Sequence, residues 1–237
     1  MEKLACDLHI HSCLSPCAQM DMTPNNIVRM AMLKGLDAIA VCDHNCAWNL
    51  SAIKAVADAC GLLLLPGVEA QSSEEVHLLC YFPTVCAAED FSRALYETLP
   101  DMPNMPDFFG EQAVLDENDA LVRHEERLLI QSSELTIDEL AALCASRGGV
   151  SVPAHINRTA NSLLYLLGFM PESPSFSSVE LMRNVPLPRG FDPSPYHVLY
   201  SSDAHSLEDI LEREFFLNAG EKSVQALLKY IGSKKAE

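Results

Sequence analysis

Short apolar runs of strand length alternate along this chain with segments of helical periodicity, and that alternation limits the possible folds more than any other feature. Leu4 to Ile10 reads as a strand that ends in polar residues. Thr23-Pro24 then opens a helical pattern through Ile27, Met30, Ala31 and Lys34, which stops at Gly35. Thr at the N-cap, Pro in the first turn and Gly just past the end are the expected punctuation of a helix. Asp37 to Cys42, Leu62 to Val68 and Val76 to Phe82 read as further strands, with a helix at Leu50 to Cys60 before Gly61. Leu62 to Val68 is uniformly apolar, as a parallel strand covered on both faces should be.

The alternation fails between about 83 and 133. Pro100, Pro103 and Pro106 fall within seven residues, a spacing that no regular element tolerates. Ala113 to Val122 straddles Asp116-Glu117-Asn118-Asp119 and predicts a β-hairpin. The stretch is read as an insertion in a single domain spanning 1–237. Alternation resumes at Thr136-x-x-Glu139, a capping box before a helix with Ile137, Leu140, Leu143 and Cys144 on one side. Strands are expected at Val150 to Pro153, Val179 to Met182, His197 to Ser201 and Glu214 to Leu217, with helices near Asn161 to Gly168 and Glu221 to Ile231. Roughly seven β/α units in one α/β domain imply a barrel or a closely related wound sheet.

Composition narrows the function. The formal net charge is −17, and no concentrated basic patch interrupts it. Phosphate backbones would be repelled, so no long nucleic acid is expected as a partner, although a small phosphorylated substrate is compatible when cations supply local positive charge. Nine scattered cysteines without a CxxC pair fit free thiols in a reducing compartment better than a disulfide scaffold or zinc ribbon. No basic leader with a long apolar stretch and no membrane-length apolar run is present, so a cytoplasmic protein without membrane attachment is expected. Oligomeric state is not readable.

The histidines carry the chemistry. Of eight, six fall at predicted strand ends or just beyond: His9, His11, His44, His77, His155 and His205. In a parallel barrel such ends meet on one face, where active sites are built. His9 and His11 are two apart on a strand and so project to the same side. Asp203 and His205 repeat that spacing, and Glu69 closes the third strand with a carboxylate able to bridge two metals. A mixed imidazole and carboxylate donor set suits zinc, manganese or iron better than magnesium. Single histidines are usually core or surface residues, which is how His124 and His197 are read.

Taken in order, Asp7-Leu8-His9-Ile10-His11-Ser12, Asp43-His44-Asn45, Pro66-Gly67-Val68-Glu69, His77, His155 and Ser202-Asp203-Ala204-His205 resemble the PHP (polymerase and histidinol phosphatase) family across nearly the whole chain outside the 83–133 stretch. The resemblance implies a distorted (β/α)7 barrel with its active site at the C-terminal ends of the strands and two or three divalent metal ions. It implies His9, His11, Glu69 and Asp203 around one metal, with Glu69 bridging to a second held by His77 and His155. His44 and His205 would hold a third. There the sequence departs from the family, which supplies an Asp or His where Ser15-Pro16-Cys17-Ala18 stands. Cys17 either ligates as a thiolate or is a bystander beside a weak third site.

Cations held close together acidify water and clamp phosphoryl oxygens, which predicts a metal-dependent phosphoesterase acting on a small phosphomonoester. His205 and His155 are the candidates to protonate the leaving oxygen. Arg158 and Arg183 are the candidates to bind phosphate, because a guanidinium matches its oxygens bidentately. Asp43 is expected to orient a neighbouring ligand rather than bind metal. The alternatives are an exonuclease on short oligonucleotides, a metal-binding regulatory protein with weak catalysis, and a metallo-amidohydrolase, which also uses His-x-His on a barrel strand.

Overall fold

The computed structural model describes residues 2–235. Strand β1 (Glu2–Ile10) leads to helix α1 (Pro24–Leu33), then β2 (Ala38–Val41), α2 (Leu50–Cys60), β3 (Leu63–Leu64), β4 (Gly67–Gln71) and β5 (His77–Tyr81). The helices α3 (Val85–Tyr96) and α4 (Pro106–Phe109) precede a hairpin of β6 (Ala113–Leu115) and β7 (Leu121–His124). The chain continues through α5 (Ile137–Ala145), β8 (Val150–Pro153), α6 (Leu163–Leu167), β9 (Ser178–Glu180), β10 (His197–Leu199), a 3-10 turn (Leu207–Asp209), β11 (Phe216–Gly220) and α7 (Val224–Gly232).

The architecture is mixed α/β, and the described strands do not join into one closed barrel. The strands fall into separate sheets, ordered β11-β1-β2-β3, β4-β5-β8, β10-β9 and β6-β7. β1, β2 and β3 are parallel, but β5 runs antiparallel to both β4 and β8. Two local causes account for this. Pro66 interrupts the run expected as one strand, so Leu63–Leu64 pairs with β2 while Gly67–Gln71 joins the next sheet. Only Ser72 to Val76 separate β4 from β5, too few for a crossover helix, so the chain reverses as a hairpin with Gln71 opposite His77.

Sheet edges nevertheless meet around one end of the molecule. Isolated bridges join Ile10 to Ala204 and His44 to Glu69, and the Ile156 N–H donates to the Glu180 carbonyl beside β9. A continuous apolar core lies beneath, including Ile39, Val41, Leu78, Ile156 and Val179. Helix α3, within the stretch where sequence periodicity failed, buries Ala88, Phe91 and Leu95 in that same core. Thr23 and Thr136 cap α1 and α5 as their sequences suggest, the latter with a complete capping box. No helix among the described residues is long and apolar enough to cross a membrane.

Candidate metal centre

Glu69 is the hub of a buried polar cluster. Its Oε1 lies 2.8 Å from His77 Nδ1, 3.2 Å from His155 Nε2 and 3.4 Å from His9 Nε2. Its Oε2 lies 3.0 Å from His44 Nδ1 and 3.4 Å from His11 Nε2. The two Nε2 atoms of His9 and His11 face one another at 3.1 Å, and Asp203 Oδ1 sits 3.4 Å and 3.2 Å from them. The His205 ring stacks on that of His11 with centroids 4.3 Å apart. Three donor groups could each hold a cation: His9, His11 and Glu69; His44, Glu69 and His77; His11, His44 and His205.

Each side chain arrives by a different route. His9 lies near the end of β1 with His11 just past it, and His44 follows β2. His155 follows β8, while Asp203 and His205 follow β10. His77 is the exception to the expectation of strand C-termini. It is the first residue of β5, and it enters the cluster because β5 runs antiparallel to its neighbours. The backbone is strained where it delivers ligands: His155 (φ 29°), Asp203 (φ 54°) and Asn45 (φ 53°), next to His44, occupy the left-handed region. Such residues cost on the order of 1–3 kcal/mol each and persist where the surroundings over-determine them.

Buried carboxylates behind the histidines hold the arrangement. Asp43 accepts from the Ser12 N–H at 2.7 Å, the Ser12 hydroxyl at 2.6 Å and the Ser15 hydroxyl at 2.7 Å. Ser15 Oγ in turn lies 2.9 Å from His11 Nδ1 and accepts the His44 N–H at 3.2 Å, so Asp43 reaches both residues through Ser15. Asp7 accepts from the Ser202 and Leu211 N–H groups and the Ser202 hydroxyl, pinning the segment that carries Asp203. Glu180, fully buried, lies 3.1 Å from His9 Nδ1. Sequence reasoning overlooked Ser15 and Glu180; the available signal for Glu180 was a carboxylate inside the otherwise apolar strand expected at Val179 to Met182.

The electrostatics are those of a site built for cations. Burial would raise the Glu69 carboxyl, but His77, His9 and His44 hold it well below the usual range. Asp203 is likewise held low against burial, by His9 and His11. Burial pushes His11 down, assisted by His44 and His205, whereas at His44 Glu69 and Cys17 together outweigh burial and raise it to about 10. Desolvation opposes ionisation of Cys17, yet hydrogen bonding to His205 and His44 lowers its thiol to about 7. Two buried atoms of the cluster form no hydrogen bond, His155 Nδ1 and Glu69 Oε2, although His44 Nδ1 lies 3.0 Å from the latter. An unsatisfied carboxylate oxygen among imidazoles is the signature expected where a cation belongs, so the residues fit divalent metal ions.

The cluster opens into a cleft of about 330 Å³ whose wall includes Cys17, His205, Arg158 and Ile130. Arg158 reaches it and pairs with Asp203 Oδ2 at 2.5 Å. Arg183 does not: its guanidinium pairs with Glu214, and it borders a neighbouring depression beside Asn157 and Tyr200. Cys17 lines the cleft but stands outside the three groups of closely spaced donors.

No protein-family model matches the chain, and no curated protein sequence matches it. Its fold does match solved structures. The lesion-specific endonuclease PfuEndoQ of Pyrococcus furiosus is 18% identical with a TM-score of 0.64, over 99% of this chain and 57% of that one. A proposed metal-dependent phosphoesterase of Bifidobacterium adolescentis is 18% identical with a TM-score of 0.64, over 96% of both chains. The chain shares the fold of these structures. It spans about half the length of the endonuclease chains it matches, 57% and 50%.

One of these structures corrects an expectation. Endonuclease Q, 19% identical with a TM-score of 0.59 over 87% of this chain, was solved with a 27-mer duplex carrying an abasic lesion at its active site. The exclusion of long nucleic acid on the strength of a −17 net charge therefore fails for this fold. Net charge averages over the whole surface, whereas binding responds to the potential at one face, which bound cations can reverse.

Proposed function

We propose that this chain is a metal-dependent phosphoester hydrolase whose reaction centre is the Glu69 cluster. The observation that carries the reading is the convergence of five imidazoles within 3.4 Å of one buried carboxylate, one of whose oxygens forms no hydrogen bond. His9, His11, Glu69 and Asp203 form one metal position, and Glu69 joins it to a second at His77 and His155. His44 and His205 form a third, with Cys17 at its rim. Zinc, manganese and iron suit these donors. Cations bound there would acidify water and take up charge on the phosphoryl oxygens.

The remaining work falls to protein side chains. Arg158 is 42% exposed, and one contact to Asp203 leaves most of its donor fork for a phosphate. His205, 31% exposed at the cleft wall, is better placed to protonate a leaving oxygen than His155, which is 1% exposed and committed to Glu69. A cleft of about 330 Å³ accommodates a terminal phosphate and a small organic group, which supports a phosphomonoester substrate. The second reading, cleavage of a phosphodiester in nucleic acid, is supported by the duplex-bound endonuclease of the same fold.

The test is inorganic phosphate release from nucleotides, nucleotide bisphosphates and amino-alcohol phosphates by protein loaded with manganese, zinc or iron. A labelled duplex with an abasic site is run in parallel. Metal-dependent turnover that falls at least about a hundredfold in Asp203→Asn is expected. Strand cleavage without phosphate release would select the nuclease reading. Fully loaded protein inert on every ester would overturn the proposal.

A further inference from the structure

Glu180 is a buried carboxylate behind the cluster that touches two of its branches at once. It closes β9, is fully buried, and lies 171 residues along the chain from His9. Its Oε2 is 3.1 Å from His9 Nδ1 and its Oε1 is 3.3 Å from the same nitrogen. The same Oε2 accepts the His155 backbone N–H at 2.9 Å. His155 is the ligand with left-handed backbone (φ 29°), and its imidazole Nε2 points at Glu69 Oε1, 3.2 Å away.

We propose that Glu180 is a positioning residue that sets both histidines for metal binding: it fixes the proton of His9 on Nδ1, and it ties down the strained turn that aims His155. This rests on the reading of the Glu69 cluster as a metal site. A carboxylate accepts at both contacts, so His9 Nδ1 must be the donor, which leaves the Nε2 lone pair facing His11, Glu69 and Asp203. The opposite tautomer would set a lone pair against the carboxylate and aim an N–H into the cluster. The backbone bond supplies what a left-handed histidine needs to persist, a fixed partner in the packed interior. Because one oxygen serves both contacts, the His9 and His155 positions are mechanically linked through β9.

The experiment is imidazole nitrogen NMR and metal titration of wild-type and Glu180→Gln protein, with zinc as the probe. Gln keeps the volume but removes the negative charge, and with its carbonyl in the place of Oε2 its amide N–H₂ stands in the place of Oε1, against His9 Nδ1. In zinc-loaded wild type, His9 is expected to carry a slowly exchanging proton on Nδ1. In Glu180→Gln that proton exchanges faster, and zinc affinity falls 10- to 100-fold at unchanged circular dichroism. A merely structural role would lower the melting temperature and leave the tautomer and the affinity in place. A proton on His9 Nε2 in the wild type, or equal zinc affinity in the two proteins, would overturn the inference while leaving the hydrolase reading intact. Absence of zinc binding by the wild type would overturn both. Should Glu180→Gln fail to fold, the wild-type tautomer alone decides.

Discussion

The cleft and the β6–β7 hairpin are both rich in acidic side chains, and they use them in opposite ways. In and beside the hairpin three carboxylates find N–H or O–H donors. Asp116 accepts from the Asn118 and Ala120 N–H groups at 2.8 Å each, and Asp119 accepts from the Thr23 hydroxyl at 2.8 Å and the Asn25 N–H at 3.0 Å. Glu125 accepts from the Tyr96 hydroxyl at 2.7 Å and from Arg123 at 2.6 Å. In the cleft, Glu69 is buried as Glu125 is, but it faces imidazoles and its Oε2 forms no hydrogen bond. A buried charge left short of donors costs several kcal/mol, so a fold retains one where something else will bind there. The partners of a carboxylate, rather than its burial, separate scaffold from site.

The largest effect that would break this contrast is expected from Glu69→Gln. Loss of the shared carboxylate should empty more than one metal position and reduce turnover at least about a hundredfold, read by metal analysis and ester hydrolysis. A variant that keeps its metals and its rate would place Glu69 with the hairpin carboxylates. Asp119→Ala should do the reverse. It removes the acceptor that ties the hairpin loop to the start of α1, costing about 1 kcal/mol, or a melting shift of about 2–4 °C, with no change in metal content.

The smallest effect concerns Glu125. Burial would raise its carboxyl, but the Tyr96 and Arg123 hydrogen bonds outweigh burial and hold it below the usual range. A depressed carboxylate contributes stability that is fully present above the unfolded value of about 4.3 and is lost as pH falls through the folded value. Glu125→Gln should therefore be less stable than wild type at pH 7, and the gap in urea midpoint should close below about pH 4. A gap that persists in acid would mean the side chain acts through packing rather than charge.

Much of the cluster was legible in the chain because strand geometry is local. His9 and His11 lie two residues apart and do converge, and Glu69, His77, His155 and Asp203 gather around them. The direction of β5 was also within reach: five residues between β4 and β5 are too few for a crossover, which makes His77 a strand start. Helix α3 was obscured by the proline-rich stretch that follows it, although its buried positions Ala88, Phe91 and Leu95 carry helical spacing. Arg183 shows the limit of strand-end logic. It follows β9 as expected of a cleft residue, yet Glu214 captures it outside the cleft.

The sequence by itself determined the caps of α1 and α5, the position of most strands and a set of side chains suited to metal binding, because each depends on neighbours within a few residues. Only the tertiary structure decided that the sheets remain separate, that Ser15 and Glu180 stand behind His11 and His9, and that Arg158 rather than Arg183 reaches the cleft. Those outcomes hang on contacts such as His9 with Glu180, 171 residues apart. Such a contact is fixed by the packing of every strand and helix between its partners, and no local pattern in the chain encodes that sum.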